Sequence, residues 1–302
     1  VSAAQSSGSV PARTTEHWQP GTCAGNGKVL GGFLRTVEFE ASEAAGHADT
    51  FGRLRAGDLQ AAIVHGVYPQ AVLDRLVERL ERHDPPFLQT WFPEKFRSWF
   101  FGRNLNLSRP DLPGYFQEAE QFHAQLDALF APDASIVGHV GGLLALLDRG
   151  RSFVAAPGPG VNQRYMFTTL RAHLEGGYIP PHFDNEQRLR ATYRHMQSIV
   201  ELHMTSFVLT LTMADAGGAL EVFDLVTAPE AARMISDDLV VDKPDVTALA
   251  SVSFRIPPGS LILLDSGRYL HRLTPVRGAR KRWTACSFMA LSRSRDATYC
   301  WG

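Results

Sequence analysis

His182 and Asp184 are separated by one residue, in Ile179-Pro180-Pro181-His182-Phe183-Asp184. Residues i and i+2 of a β-strand project from the same face. This imidazole and this carboxylate can therefore grip one metal ion together. A second histidine, His271, lies far downstream in Tyr269-Leu270-His271-Arg272-Leu273-Thr274-Pro275-Val276, at what reads as a strand edge. Two imidazoles and one carboxylate are the donor set that holds Fe(II) on one side and leaves three coordination positions open.

His-x-Asp alone is a frequent accident of sequence. The later His-x-x-x-Pro-Val, followed by Arg280, Lys281 and Arg282 at the head of an apolar segment, makes a far more specific pattern. Iron of this type works with 2-oxoglutarate and O2. The distal carboxylate of 2-oxoglutarate needs a planar, bidentate cationic partner. Arg282 and Thr284 share strand parity and could hold it; Arg280 has the same parity and is the rival. Arg171 and His173 share a face on a segment upstream of His182. Arg171 is read as meeting the cofactor or pairing with a carboxylate, His173 as lining the pocket. Asn185 and Glu186 follow the ligands and could support them. Asp265 and Arg268 read as structural groups around His271, and His65, His195 and His203 as ordinary histidines.

The elements that must position these groups follow from pattern. The 302-residue chain suits one large domain with additions. A formal net charge of −1 gives no electrostatic case for nucleic acid or an anionic membrane. No apolar run approaches the roughly 18 residues of a membrane helix. Cys23, Cys286 and Cys300 lack metal-site spacing, and a reducing compartment suits them. The Ser/Ala/Gly-rich start lacks a basic region followed by an apolar one. A cytoplasmic protein with a small-molecule substrate, no nucleic acid and no membrane partner is the expectation.

Residues 1–50 read as a mobile or lid-like segment, with a short strand possible over Lys28 to Glu40. A single domain spans 51–302, with helical support over about 69–150 and a jelly-roll core over about 151–302. Val72, Leu73, Leu76, Val77 and Leu80 follow helical period up to Pro85-Pro86. Phe92, Phe96 and Trp99 fall on one helix face and read as core or pocket wall. Tyr115 to Phe130 is an amphipathic helix; Ile136 to Leu147 is a second, capped by Ser135 and weakened by its glycines. Beyond Ser152 come short β-type segments between Gly and Pro turns: Arg164–Leu174, Tyr178–His182, Glu201–Met213, Ala219–Phe223, Val252–Ile256, Ser260–Asp265, His271–Val276 and Arg282–Leu291. The fold class is mainly β with α additions: a double-stranded β-helix (jelly roll) with a helical N-terminal half. Residues 185–198 and 228–238 read as insertions at the barrel mouth, and the helical half as a roof over the pocket.

His182-Phe183-Asp184, Gly217 to Val222, Pro258 to Leu264 and His271 to Arg282 together resemble the Fe(II)/2-oxoglutarate-dependent oxygenases. More narrowly, the chain from about residue 58 onward is similar to the freestanding halogenases of hapalindole- and welwitindolinone-type alkaloids and their hydroxylase relatives. The turn at Pro110-Asp111-Leu112, Leu174-Glu175-Gly176, Gly267-Arg268-Tyr269 and the closing Tyr299-Cys300-Trp301 carry the likeness. The resemblance implies Fe(II) on His182, Asp184 and His271, with 2-oxoglutarate and O2 as co-substrates, and Arg171 resembles a basic residue of the halogenases. One departure matters. The halogenases have glycine where this chain has Asp184, and chloride takes the vacated position. The carboxylate here implies hydroxylation or a related oxidation such as desaturation, cyclisation or epimerisation. A protein hydroxylase and a non-catalytic jelly-roll binding module are the other classes compatible with the residues.

Overall fold

A computed structural model of the chain describes residues 14–302 apart from Asn26, Asp111, Ala134 and 228–244. The insertion expected over 228–238 lies outside the described residues. The strands are β1 (Thr15–His17), β2 (Lys28–Leu30), β3 (Leu34–Glu40), β4 (Ala61–His65), β5 (Gln89–Trp91) and β6 (Ser98–Phe101). Then come β7 (Ser152–Ala155), β8 (Thr169–His173), β9 (Ile179–His182), β10 (Thr205–Thr210), β11 (Ala216–Gly217) and β12 (Leu220–Val226). The last are β13 (Ser251–Phe254), β14 (Leu261–Leu264), β15 (Tyr269–Leu273), β16 (Val276–Arg277), β17 (Arg282–Leu291) and β18 (Ala297–Trp301). The helices are α1 (Thr50–Ala56), α2 (Gln70–Glu81), α3 (Pro113–Phe130), α4 (Ile136–Leu146) and α5 (Arg194–Ile199).

A major sheet runs β2-β3-β4-β14-β10-β17-β8-β6-β5, with β18 and β7 attached beside β17. A minor sheet runs β1-β13-β12-β15-β9. The two face each other across an apolar layer that includes Ala61, Ile63, Ile262 and Leu264 of the major sheet and Val222, Val252 and Phe254 of the minor one. The jelly-roll expectation is met: β8, β9, β10, β14 and β17 fall within predicted segments, β12, β13 and β15 overlap theirs but overrun one end, and β11 and β18 were not expected.

Alternation sorts the other face. Leu170, Ala172, Trp283, Ala285, Trp99 and Phe101 pack with Leu76 of α2, Phe122 of α3 and Leu144 of α4 in one large core. The helical half therefore backs the major sheet from outside. It does not roof the pocket, which corrects the expectation: the apolar stripe of α2 needs an apolar partner, and the outward residues of β6, β8 and β17 supply one. Trp283 lies edge-on to Trp99 with centroids 4.8 Å apart, and its Nε1 donates to Glu81 Oε1 at 2.6 Å. Ser135 caps α4 by accepting from the Gly138 amide. The glycines of α4 have a packing role as well: a Cβ at Gly141 would lie 3.3 Å from the Phe153 carbonyl of β7.

Two further expectations change. Phe92, Phe96 and Trp99 do not share a helix face, because the aromatic stretch forms the β5–β6 hairpin. Aromatic residues suit a pleated surface, and two-residue alternation sends Trp99 and Phe101 outward and Ser98 and Phe100 inward. Residues 14–50 are not a separate lid: β1 pairs with β13, and β3 lies parallel to β4. The carboxylate of Glu38 ties this segment down by accepting from the Gly21 and Cys23 amides and bonding His65 at 2.5 Å.

Candidate active site

β9 and β15 pair antiparallel, with His182 directly opposite His271. His271 in turn sits opposite Val222, which belongs to the layer between the sheets. Both imidazoles therefore point inward. Asp184 follows two residues after His182, where its amide donates to the Ser266 carbonyl at 3.0 Å. Its Oδ1 lies 3.4 Å from His182 Nε2 and 3.7 Å from His271 Nε2. One ligand atom from each of the three falls within 4.8 Å of the others, a spacing one metal ion can span.

The imidazoles are fixed from behind. His182 Nδ1 bonds the Pro180 carbonyl at 2.8 Å, and His271 Nδ1 bonds the Tyr269 carbonyl at 2.9 Å. A carbonyl can only accept, so each Nδ1 carries the proton and each Nε2 presents its lone pair to the centre. Asp184 is 2% exposed. Burial alone would raise its pKa, but His271 and His182 outweigh that and hold the carboxyl below its ordinary range. Near His271, Asp265 accepts from His203 at 2.8 Å and from Arg268 Nε at 2.6 Å. This agrees with a structural reading of Asp265 and Arg268, and His203 joins them. Glu186 Oε1 accepts from the Phe183 amide at 3.4 Å. Asn185 is buried, with no partner for its amide among the described residues.

The opposing wall comes from the inward face of β6, β8, β17 and β10. Arg282 is opposite His173, Thr284 is opposite Arg171 and Thr210 is opposite Thr284. These five side chains share one face, all of them buried. The Arg171 guanidinium is held between the rings of Phe92 and Phe100, at 4.8 and 4.9 Å, and donates to Ser98 Oγ at 3.1 Å. Burial pushes Arg171 down to about 10, with Arg282 adding to it against Cys286; burial pushes Arg282 down to about 10 as well. The chain passes over the Arg282 shaft at Gly218, where φ is +60° and a Cβ would lie 3.0 Å from Arg282 Cδ. Arg280, the rival, is 65% exposed and pairs with Asp215 outside this space.

Burial raises the Cys286 thiol; Arg171 and Arg282 pull it down while Asp184 pushes it up. The triad on the inward face of the minor sheet and the cationic wall on the inward face of the major sheet face each other across the space between the two sheets. Several polar atoms on the wall lack partners. Arg171 Nε, both nitrogens of His173 and Thr210 Oγ1 are buried without a hydrogen bond among the described residues. No ion pair involving Arg171 or Arg282 occurs there either. Two buried guanidiniums with orphaned polar neighbours are costly unless an anion completes them. A dicarboxylate with one end on a metal held by the triad and the other on this wall supplies what is missing, so the residues fit both Fe(II) and 2-oxoglutarate. Sequence reasoning missed Thr210. Its signal was the alternation Ser206, Val208, Thr210 along one strand face.

A protein-family profile described as carrier-protein-independent halogenase WelO5 matches residues 33–302. Among solved structures, a novel N-substituted L-amino acid dioxygenase from Burkholderia ambifaria AMMD in complex with alpha-KG is similar at a TM-score of 0.51 and 13% identity, covering 84% of this chain and 91% of that one. An oxidoreductase of the 2OG-Fe(II) oxygenase family from Burkholderia pseudomallei aligns at a TM-score of 0.44 and 13% identity, covering 94% of this chain and 99% of that one. Comparison with curated proteins finds no match. The profile spans most of the chain, and the facing triad and cationic wall are what such an enzyme requires. The chain belongs to the family of the carrier-protein-independent halogenase WelO5 and is an Fe(II)- and 2-oxoglutarate-dependent oxygenase.

Proposed function

We propose that the protein hydroxylates a C–H bond of a freestanding small molecule of natural-product type. His182, Asp184 and His271 hold the iron in this reading, and Arg282 and Thr284 hold the distal carboxylate of 2-oxoglutarate with Arg171 beside them. When bound, Fe(II) and 2-oxoglutarate supply the oxidising power: O2 is reduced, 2-oxoglutarate loses CO2 to become succinate, and one oxygen atom goes to the substrate. The protein's part is to orient and to keep water out. Phe92 and Phe100 cover the Arg171 guanidinium, and Phe92 and Tyr178 each pack against Phe96.

One observation carries the choice of hydroxylation. Asp184 presents a buried carboxylate to both imidazoles, at the position where the halogenases it resembles have glycine. A ligating carboxylate leaves chloride no place in the first coordination sphere. Product mass spectra of the native enzyme, with and without chloride, test this. An oxygenated product indifferent to chloride is expected. Asp184→Gly is expected to bind iron more weakly and to lose most hydroxylation. A chlorinated product from the unaltered protein would overturn both the hydroxylase reading and ligation by Asp184. Within the described residues no helix is long and apolar enough to cross a membrane. The cytoplasm remains part of this proposal, supported by three free cysteines.

A further inference from the structure

His173 is the one titratable side chain of the cationic wall, among the described residues, with every polar atom buried and unpartnered. It is 1% exposed, with Arg282 opposite it on one neighbouring strand and Ser98 on the other. Neither ring nitrogen has a hydrogen-bond partner among the described residues. Burial, reinforced by Arg171 and Arg282, keeps its pKa well below the ordinary histidine value, so the ring is neutral. A neutral imidazole carries one N–H donor and one acceptor nitrogen. An orphaned donor in so buried a place points to a ligand that accepts. The neighbours fix the sign of that ligand. Arg171 and Arg282 offer only donors, and Thr284 and Thr210 add hydroxyls on the same face. Each of these four side chains can donate to an oxygen anion.

We propose that His173 donates its N–H to the distal carboxylate of 2-oxoglutarate beside Arg282, and so helps the site measure the length and charge of its oxo-acid. The proposal rests on the reading of Arg282 as the carboxylate anchor. It makes His173 a specificity-determining residue for the co-substrate, where sequence supported only a place in the pocket lining. The metal ligands handle the oxo-acid end of the molecule, which 2-oxoglutarate shares with pyruvate. Only the distal carboxylate reaches the wall. Loss of the His173 donor should therefore weaken one ligand and spare the other.

The test is calorimetric titration of the full chain, loaded with Mn(II) under anaerobic conditions, with 2-oxoglutarate and separately with pyruvate. For His173→Leu, 2-oxoglutarate should bind about 10- to 100-fold more weakly, the loss typical of a hydrogen bond to a charged group. Pyruvate should change by less than about twofold. His173→Gln keeps an N–H donor and should recover most of the loss. If the leucine variant does not fold, His173→Asn, whose amide falls short of the carboxylate, carries the same expectation. Unchanged 2-oxoglutarate affinity in these variants, or an equal loss for pyruvate, overturns the proposal and leaves Arg282 as the anchor. A native protein that prefers 2-oxoglutarate no more than pyruvate would sink the anchor reading itself, and this proposal with it.

Discussion

Replacing Arg282 with methionine should make the ligand-free protein more stable and the enzyme useless. Arg282 is 9% exposed and pairs with no carboxylate among the described residues. Its burial lowers the guanidinium from its ordinary 12.5 to about 10. At pH 7 the group is charged in both folded and unfolded chains. The folded state therefore carries a cost of about 3 kcal/mol for that charge. For a base with a depressed folded pKa, this cost is relieved only as pH rises through about 10. Methionine fills similar space without the charge. Allowing for the lost packing of the guanidinium, a net gain of about 1–2 kcal/mol is expected. That is a melting point higher by roughly 2–8 °C in a chain of this size.

Co-substrate binding reverses the order. Breaking a buried charged pair costs roughly 3–5 kcal/mol, which weakens 2-oxoglutarate by roughly two to nearly four orders of magnitude. Saturating 2-oxoglutarate should raise the melting point of the native protein and leave that of Arg282→Met unmoved, so the two curves cross. The assay is thermal unfolding of metal-loaded and metal-free protein across a 2-oxoglutarate series. Arg280→Ala is the control: exposed and paired with Asp215, it should leave the response intact. An Arg282→Met protein less stable than native when ligand-free, yet still stabilised by 2-oxoglutarate, would refute the reasoning.

Three other outcomes follow. His271→Ala removes one of three donors and should abolish stoichiometric iron binding by elemental analysis; full occupancy in that variant would discount the triad. Phe92→Ala uncovers one face of Arg171, a contact worth about 0.5–2 kcal/mol, and should raise the KM for 2-oxoglutarate roughly 2- to 30-fold while the fold stays intact; an unchanged KM would leave the Arg171 stacking with no part in cofactor binding. His123 is lowered to about 4 by burial, with Arg164 adding to it, and its Nε2 accepts from the Phe167 amide. The unfolded chain binds that proton near 6.5, so stability should rise with pH between about 4 and 6.5 by up to about 3 kcal/mol. His123→Gln, which keeps an acceptor and loses the titration, should flatten that slope in denaturant unfolding; a slope equal to native would assign the acid sensitivity elsewhere.

Much of the site was readable because strand parity is a local property. The spacing of His182 and Asp184, and of Arg282 and Thr284, places each pair on a face before any partner strand is known. Parity also left Arg280 tied with Arg282. Only the start of β17, and the exposed pairing of Arg280 with Asp215, broke the tie. The aromatic stretch from Phe87 was misread because Phe92, Phe96 and Trp99 satisfy helical spacing by coincidence. Its turn includes Arg97 at φ 42°, in the left-handed region, which nothing in the local pattern announces. The place of the helices was unreadable for a different reason. An amphipathic stripe says that a helix must be covered, never which of two sheet faces will cover it.

That last choice bears on function. On β17, Arg282 and Thr284 turn toward the site, while Trp283 and Ala285 turn into the helical core. The inward face carries uncompensated charge and cannot contribute to holding the strand in place. Beyond the backbone pairing with β8, β10 and β18, the outward face supplies the apolar packing, and fully burying a side chain such as Trp283 contributes on the order of 2–3 kcal/mol. The Glu81 carboxylate at the end of α2 pins that indole, so α2 stiffens the strand that presents the cationic wall. A roof of helices would have shielded the pocket but left this strand unsupported. Backing the sheet instead leaves the approach to the triad to the β5–β6 hairpin and its neighbours. It also predicts that the same helical core serves relatives acting on different substrates, because the elements that would contact substrate lie on the opposite side of the major sheet.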